Sequence, residues 1–324
     1  MSFCFNFPNP TCAEEKNIES ISNACEQDVF RMERDNSFSL SCGFMSMKSN
    51  TLENSISKDA NEVKFGAVSV KYVCLKSLKE KTENEDLLCA EKLQSDLIPG
   101  KYEGGFKVWE SCLDLSQFLV DENVIKPSDK VLEMFCITSK ITSPNTAGVT
   151  FFSISIPFVE TRNQTSCGAG FPGIIALLKG ATVTFQDFNA EVLELLTMTN
   201  VLLNNPNLSS YESQCQFLYG DWTCIKEKYF SGCHDEIMKY DVILTSETIY
   251  DKASMKKLLD LIKSSLKATG IVYLAAKTHY FGVGGGIIDF EDLLMADGTF
   301  EISDVHKIKA GVERQILKLK FKGS

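Results

Sequence analysis

The rhythm of apolar and polar positions changes near residue 101 of the 324-residue chain. Upstream, residues 1–60 are rich in Ser, Asn, Glu and Asp, with scattered Phe and no sustained period. They predict a mostly disordered N-terminal region with a docked tip at "FCFNF". Residues 61–100 are expected to form an extension packing on the core. There "EVKFGAVSVKYVCLK" alternates in part and predicts a strand or two, and "ENEDLLCAEKLQ" a short helix. Residues 101–324 alternate short apolar runs with amphipathic stretches. "DKVLE", ending at Glu133, predicts a buried strand, and "IIALLKG" a helix stopped by glycine. "ATVTFQD" is a β-branched strand closing on an acid. "AEVLELLTMTNVLLNN" spaces its apolar residues three and four apart, as a helix does. "QCQFLYGDW" and "YDVILTSE" predict buried strands, "SMKKLLDLIKSSLKATG" a helix ending at Gly270, and "IVYLAAK" a further strand. "FEIS" and "RQILKLKF" predict an antiparallel pair at the end. Strands alternating with helices imply an α/β fold with a parallel sheet covered on both faces. Ligands of such sheets bind outside the carboxyl ends of the strands.

Composition narrows this only a little. A hydrophobic content of 44% and a charged content of 23% are those of an ordinary soluble globular chain. The net charge of -10 argues against sequence-independent nucleic-acid binding, which needs clustered Lys and Arg. It suits a basic protein partner, and equally plain solubility. The 12 cysteines include no Cys-x-x-Cys pair, and Cys224, Cys233 and His234 lack the spacing of a zinc site, so no metal is expected. "MSFCFNFPNP" has neither a basic nor an apolar leader region, so no signal peptide is expected. Reduced, packing cysteines in the cytoplasm or nucleus follow. No apolar run reaches the ~20 residues needed to cross a bilayer. A soluble monomer without a membrane partner is expected.

Chemistry is therefore sought where strands end. "CGAGFPG", Cys167 to Gly173, is a glycine turn running into a helix. Gly168 and Gly170 permit positive φ and a close backbone approach to a ligand, with the helix N-terminus aimed at it. Asp187 closes the next strand, 17 residues after Gly170. A carboxylate there can accept both hydroxyls of a ribose; the alternative is an acid capping the helix that starts near Asn189. Gly220, Asp221 and Trp222 follow the third strand. They offer an acceptor for an adenine amino group and a ring to cover the base, or simply an acidic turn beside a core tryptophan. Ser246, Glu247 and Tyr250 follow the fourth strand, on the side of the reacting group. Glu247 and Tyr250 both face a substrate if the chain turns helically there; otherwise they are a helix charge and a packing residue. "KTHYFGVGGG" after the fifth strand reads as a mobile rim or as a plain surface turn. One adenosyl ligand lying across three consecutive strand ends accounts for Gly-x-Gly, Asp and Gly-Asp-Trp together. "GAGFPG" also matches a dinucleotide pattern literally, yet the chain offers no second nucleotide half and no hydride-handling His–Asp pair.

Taken in order, "GKYEGGFKVWESCLDL", "CGAGFPG", "FQDFN", "GDW", "LTSETIY" and "KTHYFGVGGG" resemble the eukaryotic histidine protein methyltransferases, over about residues 95–320. "MSFCFNF" is similar as well. The resemblance implies a Rossmann-like, seven-strand class I methyltransferase sheet, mostly parallel with an antiparallel end pair. It implies S-adenosyl-L-methionine as methyl donor and a histidine ring nitrogen of a large-subunit ribosomal protein as acceptor. It further implies that Val108, Trp109, Glu110, Ser111 and Cys112 contact the methionine part of the cofactor. Glu133 and Gly168 match the glycine-loop motif, Gln186, Asp187 and Phe188 the ribose region, Gly220, Asp221 and Trp222 the adenine region, and Ser246 the fourth-strand contact. "ETIY" resembles the acid-x-x-Tyr motif of protein lysine methyltransferases, which marks Glu247 and Tyr250 as the catalytic pair.

One departure matters. Relatives read something like "VLELGCGAG", whereas here Met134 to Ser166 stand between Glu133 and Cys167, and Ser166 replaces the first glycine. The segment reads as an intron translated in frame or another gene-model error, with a genuine extension as the alternative. Loop-closure entropy grows by only ~0.6 kcal/mol per doubling of length, so the flanking strand and helix are expected to form. A cofactor misplaced by ~1 Å costs ~10²-fold in rate, so impaired catalysis is expected of this product. Two alternatives stand beside histidine methylation: transfer to lysine, and a non-catalytic binding protein disabled by the insertion. A sulfonium methyl is already activated, so the protein needs only to align a neutral imidazole and exclude water. With an imidazole pKa of ~6.5 no strong base is required. Glu247, with Tyr250, is expected to orient the ring through its other N–H.

Overall fold

The computed structural model describes residues 41–45, 60–73, 109–135, 167–204, 213–232, 235–281 and 284–323. The expectations for the "FCFNF" tip, the helix at 83–94, Val108, the segment 136–166 and the pair Cys233 and His234 lie outside the described residues.

Eight strands form one sheet: β1 (Gly43–Met45), β4 (Lys130–Met134), β5 (Thr182–Asp187), β6 (Cys215–Tyr219), β7 (Tyr240–Ser246), β8 (Leu266–Lys277), β9 (Phe300–Ile308) and β10 (Arg314–Phe321). Their spatial order is β1-β6-β5-β4-β7-β8-β10-β9. The five strands from β6 to β8 are parallel, and β1, β10 and β9 close the two sides antiparallel. A separate hairpin joins β2 (Asn61–Phe65) to β3 (Val68–Tyr72). The central strands read as near-continuous apolar runs because helices cover both faces. Val131 and Leu132 show the alternation: Val131 packs in one core cluster and Leu132 in the other.

On the first face, Leu115 and Leu119 of α1 (Glu110–Asp121), Ile174 and Ile175 of α2 (Phe171–Leu178), and Phe65 and Tyr72 of the hairpin pack together. A helical stretch follows β5 as α3 (Ala190–Val192), a π turn (Leu193–Thr197) and α4 (Met198–Asn204). The second face is closed by α5 (Trp222–Ile225), α6 (Lys252–Ser265) and α7 (Ile287–Asp297), through Leu258, Ile262 and Phe290. Each such fully buried Leu, Ile or Phe contributes about 1.5–3 kcal/mol. No helix among the described residues is long and apolar enough to cross a membrane.

One expectation is corrected here. The amphipathic helix ends at Ser265, and residues 266–270 already belong to β8. Leu266 pairs with Tyr240, so sheet pairing wins over a local pattern that fits either structure. Within residues 1–60, Gly43–Met45 form a strand paired with Phe217–Tyr219 at the sheet edge. The terminal antiparallel pair of β9 and β10 is present as expected.

Candidate active site

Parallel pairing places every strand end considered above on one edge. Met134 lies beside Gln186 and Thr245, Asp187 beside Tyr219, and Ser246 beside Ala275. The glycine turn sits over β4 and β5. Cys167–Ala169 form a short 3-10 turn, and Gly170, with φ of 73°, precedes α2, whose first turn carries Pro172. A β-carbon on Gly173 would overlap the Glu133 carboxyl and the Phe185 ring. Because it has none, its N–H donates to Glu133 Oε2 at 2.7 Å. The end of β4 and the start of α2 are therefore held together. Thr197 and Asn200 were not singled out in the sequence. Thr197 Oγ1 donates to the Gly168 carbonyl at 2.6 Å and Asn200 Nδ2 to the Ala169 carbonyl at 3.0 Å. Their signal is a pair of polar residues on the buried stripe of an apolar helix.

The acids of this edge divide into satisfied and unsatisfied atoms. Asp187 Oδ1 accepts from the Asn189 N–H at 2.8 Å. Its Oδ2, like Glu133 Oε1, is buried with no hydrogen-bond partner among the described residues. Burial pushes the Asp187 carboxyl up to about 8 and the Glu133 carboxyl well above the usual range. Next to them, Gln186 Nε2 donates to the Gly220 carbonyl at 3.1 Å, and the Trp222 indole N–H donates to Gln186 Oε1 at 2.8 Å. Trp222 is fully buried, while Phe188 is half-buried. Asp221 caps α5 by accepting from the Thr223 and Cys224 N–H groups, and pairs with Lys257 at 3.2 Å.

At the other end, the backbone of Glu247 is left-handed, with φ of 58°. The helical turn expected to align Glu247 with Tyr250 is absent: residues 247–250 are irregular, and α6 begins at Lys252 behind the Asp251 cap. The edge of β8 decides this, since the Glu247 N–H donates to the Ala275 carbonyl at 3.0 Å. Glu247 is buried. Its Oε1 accepts from Ser111 Oγ at 2.5 Å and from the Ser111 N–H at 3.3 Å. Its Oε2 accepts from the Tyr280 hydroxyl. Tyr250 meets Tyr280 edge to face, 6.3 Å between centroids. Tyr280, which the sequence reading passed over, is thus the piece joining the two predicted residues. Of the triple glycine, Gly284 is exposed and the next two glycines turn inward. Gly285 and Gly286 are buried against the backbones of Tyr250 and Thr278, and the Tyr280 N–H donates to the Gly285 carbonyl at 3.0 Å.

Trp109 leads α1 into this cluster and is buried, followed by buried Ser111 and Cys112. Burial pushes the Cys112 thiol well up, opposed by a hydrogen bond from Ser246. Glu110 faces the other way and meets Arg314 at 3.4 Å. The edge therefore has two parts: a glycine and acid end with two unpartnered carboxyl oxygens, and an aromatic end organised around Glu247. No group of three His, Cys, Asp or Glu side chains among the described residues is placed to hold a metal ion.

A family profile described as "Lysine methyltransferase" matches residues 164–281. A protein of Dictyostelium discoideum called histidine protein methyltransferase 1 homolog is 38% identical over 236 residues, covering 71% of this chain and 62% of its own length. A Rattus norvegicus protein of the same name is 31% identical over 281 residues, covering 79% of this chain and 67% of its own. One from Bos taurus is 30% identical over 292 residues, covering 84% and 69%. The chain thus spans less than two thirds of the Dictyostelium relative's length.

Proposed function

The chain belongs to the histidine protein methyltransferase 1 family, and from that premise we propose that it transfers a methyl group from S-adenosyl-L-methionine to a ring nitrogen of a protein histidine. A large-subunit ribosomal protein is the proposed substrate, and a basic partner suits the net charge of -10. The observation that carries the cofactor assignment is Asp187 Oδ2, a buried acceptor without a donor among the described residues. A ribose hydroxyl supplies the missing donor and favours the ionised form of a carboxyl held at about 8. Gly168 and the left-handed Gly170 carry no side chain that would oppose the close approach of a ligand to the turn. The residues therefore fit the cofactor.

When bound, S-adenosyl-L-methionine supplies an electrophilic methyl that needs no activation. Asp187 would bind the ribose, Gly168 and Gly170 would admit the cofactor backbone, and Trp109, Ser111 and Cys112 would flank its methionine part, whereas Glu110 is taken up by Arg314. Gln186 and Trp222 hold the Gly220 turn that walls the adenine. Glu247 orients the acceptor ring through the spare lone pair of Oε2, beside Tyr250 and Tyr280. Buried aromatic rings there exclude water, and a neutral imidazole needs no stronger base.

The test uses the full chain, a tritiated methyl donor and large ribosomal subunits from cells lacking the enzyme. Labelled methylhistidine in the hydrolysate is expected. Labelled methyllysine alone would assign the lysine reading, which the profile's description favours. Calorimetry with S-adenosylhomocysteine separates a non-catalytic binder: no heat and no label would leave only that reading.

A further inference from the structure

We propose that Lys277 determines acceptor choice, because its ammonium fills an aromatic cage between Trp109 and Tyr280 and so turns away a cationic lysine while admitting a neutral imidazole. This rests on the methyltransferase reading above. Lys277 is the last residue of β8, two positions beyond Ala275, which pairs with Ser246. It is only 4% exposed. Its Nζ lies 5.1 Å from the centre of the Trp109 ring and 5.7 Å from that of Tyr280. The Lys277 main-chain N–H donates to the Tyr280 hydroxyl at 3.3 Å, and that hydroxyl donates to Glu247. The ammonium is therefore built into the same cluster as the predicted acceptor site.

Its charge is met by ring faces. Among the described residues no carboxylate lies within ion-pair distance of Lys277. The neighbouring cation, Arg314, pairs with Lys277 in register but is engaged by Glu110 and Asp114 of α1. Two aromatic faces around one cation are the arrangement that binds ammonium ligands in other proteins. Here the protein's own lysine occupies that place. A lysine acceptor cannot be recruited as a cation into a filled cage, and a second ammonium is repelled by the first. It would have to enter as the neutral amine, which at a pKa of ~10.4 is only ~10⁻³ of the population near pH 7. An imidazole with a pKa of ~6.5 is mostly neutral there and meets no such barrier.

Two measurements on Lys277→Met and Lys277→Arg test this. In the ribosomal-subunit assay, Lys277→Met is expected to raise the ratio of methyllysine to methylhistidine by at least ~10-fold, while Lys277→Arg keeps the wild-type ratio. Independently of any methyl transfer, calorimetry with tetramethylammonium chloride should show at least ~10-fold tighter binding to Lys277→Met than to wild type, since the cage is then open. Lys277→Gln is the second variant if Lys277→Met loses the wild-type melting temperature. An unchanged product ratio with intact S-adenosylhomocysteine binding overturns the inference, as does equal tetramethylammonium binding. If wild type yields no methylated product at all, the methyltransferase reading fails, and the ammonium titration still judges the cage.

Discussion

Among the described residues Asp187 Oδ2 and Glu133 Oε1 have no partner, and buried unsatisfied acceptors cost stability. Asp187 titrates near 8 in the fold against 3.8 ordinarily, so the folded chain keeps a proton that the unfolded chain releases above about pH 4. The contribution to stability is complete below that value and is lost as pH rises through about 8. Asp187→Asn removes the titration. Its melting temperature, without ligand, should exceed that of wild type at pH 8, and the gap should shrink towards pH 4. The same change should weaken S-adenosylhomocysteine by about 10–100-fold, the worth of a hydrogen bond to a charged group. Equal affinity would remove Asp187 from the ribose site. Glu247 makes a different prediction, because its carboxyl accepts only from donors. In Glu247→Gln one acceptor oxygen becomes an amide donor, so the Ser111 or Tyr280 hydroxyl must turn round to accept and the charge that drew both is lost. Turnover is expected to fall by at least ~10²-fold, and S-adenosylhomocysteine affinity by less. Equal turnover in both proteins would refute the orienting role. Asp187 was legible in the sequence because it ends a β-branched run. Tyr280 was not, because only folding brings it to Glu247, 33 positions away.

The strand β1 is three residues long and too short for any period to show. What places it is β6, to which it adds as an edge strand, and the bare Gly220, where a β-carbon would overlap Cys42. Gly220 also has φ of 124°. Gly220→Ala is therefore expected to cost about 1–3 kcal/mol in denaturant unfolding. Docking of β1 brings Cys42 Sγ within 2.8 Å of Cys224 Sγ at the start of α5. Hydrogen peroxide should join them: two thiols give up two protons and two electrons, leaving a disulfide and two waters. Burial pushes the Cys42 thiol up to about 12, so the bond should form faster as pH rises. Peptide mapping without reductant checks this, and absence of the 42–224 cross-link when other cysteines oxidise would refute it. The end of α6 was misread for a related reason. Leu266 suits a helix face and a strand equally, and its partner Tyr240 is supplied by a different part of the chain.

The end of β4 stays paired in the parallel sheet as far as Phe135. Phe135 still donates its N–H to the Gln186 carbonyl at 3.0 Å, and Glu133 still holds Gly173 at 2.7 Å. These contacts hold the end of β4 to β5 and to the start of α2. Replacing residues 135–166 by one glycine restores the pattern expected after Glu133. It should raise S-adenosylhomocysteine affinity and methyl transfer by at least ~10-fold; unchanged values would mean the insertion is harmless. The alternation of strands and helices, the residue types at the strand ends and their order were all readable in the chain itself, because each depends on neighbours within a few positions. Which carboxyl oxygens stay unpartnered, how Glu247 gathers Ser111 and Tyr280, and where β1 docks were decided only in three dimensions. Ser111 and Glu247 are 136 positions apart, and Cys42 and Cys224 are 182 apart. No local pattern encodes such separations; sheet order and pairing register do.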